Sequence, residues 1–173
     1  MSDQRAMRRT DKVMPEAETL DLLERALVAR VAVVEPDGEP YLVPMLYVWF
    51  DGKFWFHRTQ ADGRFAAALR ASPRVCIEVD QCGPVFTMKP SDACAATIAY
   101  ESAMAGGVME PASPEDALRF SNLLMSKYAG FAPDGPPPHF PMQERTRFYS
   151  VRPEWLTGKR TVMPADAHRF GLE

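Results

Sequence analysis

His57, Arg58 and Thr59 stand in a row at the end of an apolar stretch, and Gly63 and Arg64 follow where helix-forming residues begin. A guanidinium offers a planar fork of donors, a threonine a hydroxyl, and a helix start free N–H groups at the positive end of its dipole. Gly63 lets the backbone come close to a ligand. This is the donor set that a phosphate requires. On residue types alone a solvated loop is the plainer account. His57, with no carboxylate partner visible in the sequence, reads as structural before it reads as catalytic, although an imidazole suits proton transfer near neutral pH. Tyr47, Trp49, Phe54, Trp55 and Phe56 crowd the same region, as barrel core or as walls for a flat conjugated ligand.

The elements that must position these residues follow from pattern. Residues 1–14 read as a basic, poorly ordered arm. "PEAETLDLLERAL" sets Leu20, Leu23 and Leu27 on one helical face. "RVAVVE" is a short strand, and "PDGEP" a turn. "YLVPMLYVWF" is a long strand interrupted at Pro44, and Asp51-Gly52 marks a hairpin into "KFWFHR". "GRFAAALRAS" is a helix, "RVCIEVD" a fourth strand, and "QCGPVFTMKPSDACA" a loop. "ATIAYESAMAGGVME" is a strand weakened by Gly106 and Gly107, and Ser113 opens a capped helix that closes at Gly130. "FAPDGPPPHFP" is a surface loop, "RTRFYSVRPEW" a last strand, and residues 161–173 an unassigned tail. Five or six strands with flanking helices predict a mainly β (α+β) chain built as a closed or nearly closed antiparallel barrel.

Bulk properties narrow the function. The chain has 173 residues, a length that suggests one domain, and its net charge of -3 gives no pull toward nucleic acid or anionic lipid. No apolar run approaches the ~20 residues of a membrane helix, and the N-terminus lacks a signal-like apolar stretch, so the expected place is the cytoplasm. Cys76, Cys82 and Cys94 have no CxxC spacing, Cys76 reads as a small core hydrophobe, and His57, His139 and His168 are too scattered for a metal site. Dinucleotide, phosphate-loop and nucleophile-elbow motifs do not occur.

Four segments in order resemble the 5-nitroimidazole reductase-like branch of the pyridoxamine 5′-phosphate oxidase-related, FMN-binding split-barrel family. They are "RVAVVEPDGEPYLVPMLYVWFDGKFWFH", "LRASPRVCIEVD", "PSDACAATIAYESAMAGGVMEP" and "FYSVRPEWLTGKR". The resemblance spans about residues 7–160. It implies a six-stranded antiparallel split barrel over residues 15–160 and a homodimer with FMN at the subunit interface. It further implies that Arg58, Thr59, Gly63 and Arg64 hold the flavin phosphate. The backbone of Val43, Pro44, Met45, Leu46 and Tyr47 would run along the ring, with His57 beside it as the candidate catalytic residue. Tyr100, Ser102, Trp155 and Lys159 would come from the second subunit or the barrel rim.

This chain departs from the family at three positions near the implied site, and its Pro136–Pro138 loop is also unusual. The step from His57 to Gly63 is one residue longer, Phe65 replaces a lysine, and Gly106 replaces an aromatic, which implies extra room near the flavin. The function implied is an FMN-dependent oxidoreductase, nitroreductase-like, passing electrons from a nicotinamide donor such as NAD(P)H to a small planar acceptor. Alternatives are a flavin or haem binder without turnover, a split barrel using a deazaflavin or a vitamin B6 phosphate, and a flavin-free interaction module. No metal, nucleic acid or membrane partner is implied.

Overall fold

A computed structural model describes residues 7–129 and 145–170. A short 3-10 turn at Thr10–Lys12 precedes helix α1 (Glu16–Arg25). Three strands follow, β1 (Val28–Val34), β2 (Pro40–Phe50) and β3 (Lys53–Thr59), then α2 (Arg64–Ala71). β4 (Arg74–Thr87), β5 (Ala96–Pro111), α3 (Pro114–Ala129), β6 (Thr146–Val151), β7 (Trp155–Thr161) and the two-residue β8 (His168–Arg169) complete the chain. The pairings β1–β2, β2–β3, β3–β6, β6–β5, β5–β4 and β4–β1 close a ring of six antiparallel strands. This is the expected split barrel, with β7 and β8 added outside the ring.

The period-two alternation of the strands puts one set of side chains inside. Tyr47, Phe54, Phe56, Val31, Ile77 and Val79 are buried there, and α1 stops one end with Leu22 and Leu23. The Tyr47 hydroxyl donates to the Leu23 carbonyl at 2.6 Å, satisfying one of the carbonyls that a helix end leaves open. On the other side of the wall, Val48 and Trp55 pack against Phe120 of α3. The α3 start is capped as expected, the Asp116 N–H donating to the Ser113 hydroxyl at 3.1 Å.

Several boundaries differ from the sequence reading. β2 runs unbroken through Pro44, for a reason that belongs to the site. β4 continues through the expected loop to Thr87 and absorbs Gly83 and Pro84 in a register shift between Cys82 and Val85, a bulge that tolerates both. The expected last strand is two strands, because β6 and β7 share one edge of β5. The link between them passes so close to β5 that a Cβ on Gly107 would lie 2.6 Å from the Arg152 carbonyl oxygen. Residues 13–14 lie against β7, with the Met14 N–H donating to the Gly158 carbonyl at 2.9 Å. Cys76 is half-buried on the outer face of β4, not in the core. The proline-rich loop and the Gly130 helix stop lie outside the described residues. Among the described residues, no helix is long and apolar enough to cross a membrane.

Candidate functional site

β2 and β3 pair only from Tyr47–Phe56 to the hairpin, so the rest of both strands diverges. Beyond that rung, residues 40–46 pair with β1 alone and 57–59 with β6 alone. In an antiparallel ladder, successive residues turn their N–H and C=O to opposite neighbours. The Tyr47 N–H donates to the Tyr128 hydroxyl at 3.1 Å, and that hydroxyl also contacts the carbonyls of Tyr47 and Leu27, on the β1 side. By alternation, Leu46, Pro44 and Leu42 turn their backbone groups toward the split. Pro44 therefore needs no interruption: its missing N–H falls on the unpaired edge, where proline is tolerated.

Across the split stand His57, Arg58 and Thr59. His57 points outward, its ring 5.9 Å from Phe120. Burial pushes the His57 pKa down, so the imidazole is neutral near pH 7. Its Nδ1 is buried with no hydrogen-bond partner among the described residues, and the same holds for Nε of Arg58. Arg58 donates through Nη1 to the carbonyls of Thr59 (2.7 Å) and Ala61 (3.1 Å) and lies over the Tyr149 ring. Thr59 is exposed at the strand end.

Gly63 is the N-cap of α2 with an extended backbone, no side-chain cap hydrogen bond and no acidic residue in the first turn. A Cβ there would meet nothing within 4 Å, so the space above the helix start is open. Arg64 is bound to Glu35 on the β1–β2 turn and stacked 4.5 Å over Tyr41. This hydrogen-bonded pairing holds the Glu35 carboxyl below its usual range. A ligand phosphate that takes Arg64 must share it with Glu35.

The remaining candidates lie elsewhere. Ser102 and Lys159 are register partners on β5 and β7, and the Lys159 ammonium is 5.9 Å over the Tyr100 ring. Burial raises the Tyr100 phenol, but hydrogen bonds with Thr161 and Lys159 and the charges of Lys159 and Lys12 bring it net below its ordinary value. Trp155 lies opposite Gly106, and a Cβ on that glycine would be 2.4 Å from the indole Nε1. The room expected at Gly106 is thus filled by Trp155, because the missing side chain is what lets the indole lie flat.

The outward side chains of β2 and the residues of β5 and β7 share one outer face. Register rows run Leu42–Ala32–Cys76–Gly106–Trp155 and Pro44–Arg30–Glu78–Met104–Thr157 across β2, β1, β4, β5 and β7. Four strand steps of about 4.8 Å separate the edges by about 19 Å along the sheet, so a single chain does not bring Pro44 and Lys159 together. The face carries Leu42, Leu46 and Met104 at 55%, 44% and 44% exposure. Met45 and Tyr47 pack on the core and, by alternation, Val43 lies on the same side, so the split receives only backbone from that part of β2.

Sequence reasoning missed Lys127 and Tyr128. They end α3 on the Tyr47 backbone, Lys127 donating to the Tyr47 carbonyl at 3.3 Å with its ammonium 4.2 Å over the Tyr47 ring. Burial lowers the Lys127 pKa to about 8. Nothing in a helix-forming "SKYA" distinguishes them from a solvated helix end.

The family model for pyridoxamine 5′-phosphate oxidase matches residues 15–160. The chain belongs to this family. Among solved structures, it is similar to a proposed 5-nitroimidazole antibiotic resistance protein from Bacteroides thetaiotaomicron, at 21% identity and a TM-score of 0.70 over 86% of each chain. It is also similar to the flavocytochrome Anf3 from Azotobacter vinelandii, at 20% identity and a TM-score of 0.72 over 97% of this chain and 76% of that one. A FAD-binding protein from Mesorhizobium loti is 20% identical, with a TM-score of 0.61 over 87% of this chain and 98% of that one. No curated protein matches the chain. In this oxidase-family barrel the split meets the needs of a flat, phosphate-bearing ligand. An unpaired backbone edge, an open helix start, and unpartnered buried nitrogens on His57 and Arg58 all fit a flavin.

Proposed function

We infer that this protein is a flavin-dependent oxidoreductase of the nitroreductase-like kind, holding FMN, the smallest flavin that carries a phosphate. The observation that carries the reading is the parting of β2 and β3 after Tyr47–Phe56, which sets a free backbone edge opposite His57, Arg58 and Thr59. Leu46 and Pro44 orient the ring through backbone groups. Arg58, Thr59, the Gly63–Arg64 helix start and Arg64 itself hold the phosphate. His57, neutral and with an unpartnered Nδ1, orients the acceptor or moves a proton at that atom. A bound flavin supplies electron transfer between a nicotinamide donor and a small planar acceptor, while the chain supplies position, electrostatics and access.

The site is completed by a second copy of the chain. The outer face exposes Leu42, Leu46 and Met104, and Arg30 beside Glu78 and Asp80 gives it both charges near its middle, so a two-fold axis there makes it self-complementary. The same axis sets the Leu42–Leu46 edge of one protomer against the partner subunit's Tyr100, Ser102, Trp155 and Lys159. That arrangement accounts for these residues standing on β5 and β7, three and four strand steps from β2 within one chain.

The absorbance spectrum of protein purified without added cofactor tests the reading. Flavin bands shifted from those of the free molecule, and consumption of NAD(P)H with a nitro-aromatic acceptor, are expected. Flavin bands without turnover leave a carrier. A colourless protein that takes up neither FMN nor FAD overturns the flavin reading.

A further inference from the structure

Tyr100 and Ser102 on β5 stand opposite Thr161 and Lys159 on β7, so all four side chains leave one face of that ladder. The chain ahead of α1 reaches the same face. Val13 pairs with Lys159 and the Met14 N–H donates to the Gly158 carbonyl, which lays the Thr10–Lys12 turn beside β7. Lys12 then donates to the Thr161 hydroxyl at 2.9 Å, with its ammonium 6.0 Å over the Tyr100 ring. The Lys159 ammonium lies 5.9 Å over the same ring. Lys12, Tyr100, Lys159 and Thr161 are all half-buried.

Two ammoniums held over one phenol repel each other, and partial burial adds to that cost unless an anion is near. Among the described residues, neither lysine has a carboxylate within ion-pair reach. The carboxylates around them are committed elsewhere. Asp11 binds Arg9, and Asp80, opposite Ser102, binds Arg30 and accepts from the Cys82 thiol at 3.2 Å. Glu101 binds Arg25 and Glu18 binds Arg160, on the opposite face by alternation. The phenol takes up part of the imbalance. Burial works against its ionisation, yet hydrogen bonds with Thr161 and Lys159 and the two ammonium charges bring Tyr100 net below its ordinary value.

The geometry points to an anion site at this corner, where Lys12 and Lys159 close on a phosphate monoester and the Tyr100 and Thr161 hydroxyls complete the grip. Two ammoniums match the two charges of such a group, and lysine, a point charge, suits a tetrahedral phosphate without the planar fork that a carboxylate favours. Lys12 lies ahead of residue 15, where the family match begins, so part of the site comes from chain outside the shared barrel. The flavin phosphate has its own place at the α2 start, so this second phosphate belongs to a substrate. In the proposed reaction, on which that assignment rests, it is the ribose phosphate of NADPH or a phosphate ester on the acceptor.

The first arm of the test needs no flavin. Tyrosinate absorbance of the full chain is titrated against pH in inorganic phosphate and in glycerol phosphate, with chloride at equal ionic strength as control. A phosphate between the ammoniums accepts a hydrogen bond from the neutral phenol, so one tyrosine should titrate at higher pH. The shift should vanish in Tyr100→Phe, and Lys12→Met or Lys159→Met should weaken phosphate binding about ten-fold. No shift beyond the chloride control, a shift that persists in Tyr100→Phe, or wild-type phosphate affinity in the lysine variants overturns the site. The second arm compares NADPH with NADH on flavin-loaded protein, with a neutral nitro-aromatic as acceptor. A kcat/KM preference for NADPH that Lys12→Met lowers several-fold identifies the donor as the source. Phosphate binding without that preference supports the site and assigns it to the acceptor. If no flavin binds, the flavin reading falls and the first arm alone decides the site.

Discussion

Gly106→Ala is the most informative single change in the barrel, because it asks whether Trp155 lies where the register places it. The added Cβ would sit 2.4 Å from Nε1, 2.5 Å from Cε2 and 2.6 Å from Cζ2 of the indole. Ordinary carbon contacts begin near 3.5 Å, so the ring must withdraw by about 1 Å and lose its flat contact with β5. Overpacking of this kind costs about 1–3 kcal/mol, and alanine regains about 0.5–1 kcal/mol of backbone entropy over glycine. The net loss is about 1–2 kcal/mol, which lowers Tm by about 2–8 °C for a chain of this size. Thermal unfolding followed by circular dichroism reads it directly. In a Trp155→Ala background the clash is gone, so adding Gly106→Ala should be neutral or stabilising, a coupling of about 1–2 kcal/mol. An equal Tm drop with and without Trp155 would refute the stacking and, with it, the placement of Trp155 on the outer face.

Three further outcomes follow from other parts of the chain. Tyr47→Phe removes the buried hydroxyl bound to the Leu23 carbonyl at 2.6 Å and should cost about 1–3 kcal/mol in urea unfolding; an unchanged midpoint would contradict that bond. Lys127→Met should stabilise the protein at pH 7. Burial holds Lys127 to about 8, so below that pH folded and unfolded chains both carry the proton and the folded one bears the desolvation. From about 8 to the free-lysine value near 10.4 the unfolded chain binds more protons, wild-type stability rises with pH, and the mutant's advantage fades. Because the side chain is half-exposed, the gain is about 1 kcal/mol at most, and an equal gain at pH 7 and pH 10.5 would contradict the assignment. Arg64→Ala should weaken FMN binding several-fold and leave riboflavin unchanged, since only the former brings a phosphate to the α2 start; equal losses would move the phosphate elsewhere.

The barrel was legible because its strands alternate and its turns are punctuated: Asp51-Gly52 with positive φ at both residues is the expected hairpin, and Ser113 is the expected cap. What misled the reading was proline and glycine taken as local breaks. Pro44 sits on an edge where no donor is required, and Gly83-Pro84 sits in a bulge, so neither ends its strand. Whether a proline interrupts a strand depends on which neighbour that residue faces, and facing is set by tertiary pairing. The near half of the candidate site, His57 to Arg64, is contiguous, and its residue types alone favoured a solvated loop until the family resemblance was set beside them. The engagement of Arg64 by Glu35, the cover of Tyr47 by Lys127 and Tyr128, and the pairing of Arg58 with Arg147 join residues far apart in the chain, and no spacing rule reports them. Gly106 was noticed as a departure, but its meaning depended on Trp155 arriving from β7.

The central claim is that a flavin sits in the split of one protomer and is completed by the outer face of another. Size-exclusion chromatography with light scattering and full-spectrum absorbance, run on flavin-saturated protein, reads both halves at once. The account predicts one peak with the mass of two chains and visible flavin absorbance in a ratio of one flavin per chain. A monomer peak that still carries flavin would contradict the shared site, and a dimer peak with no flavin absorbance would contradict the flavin.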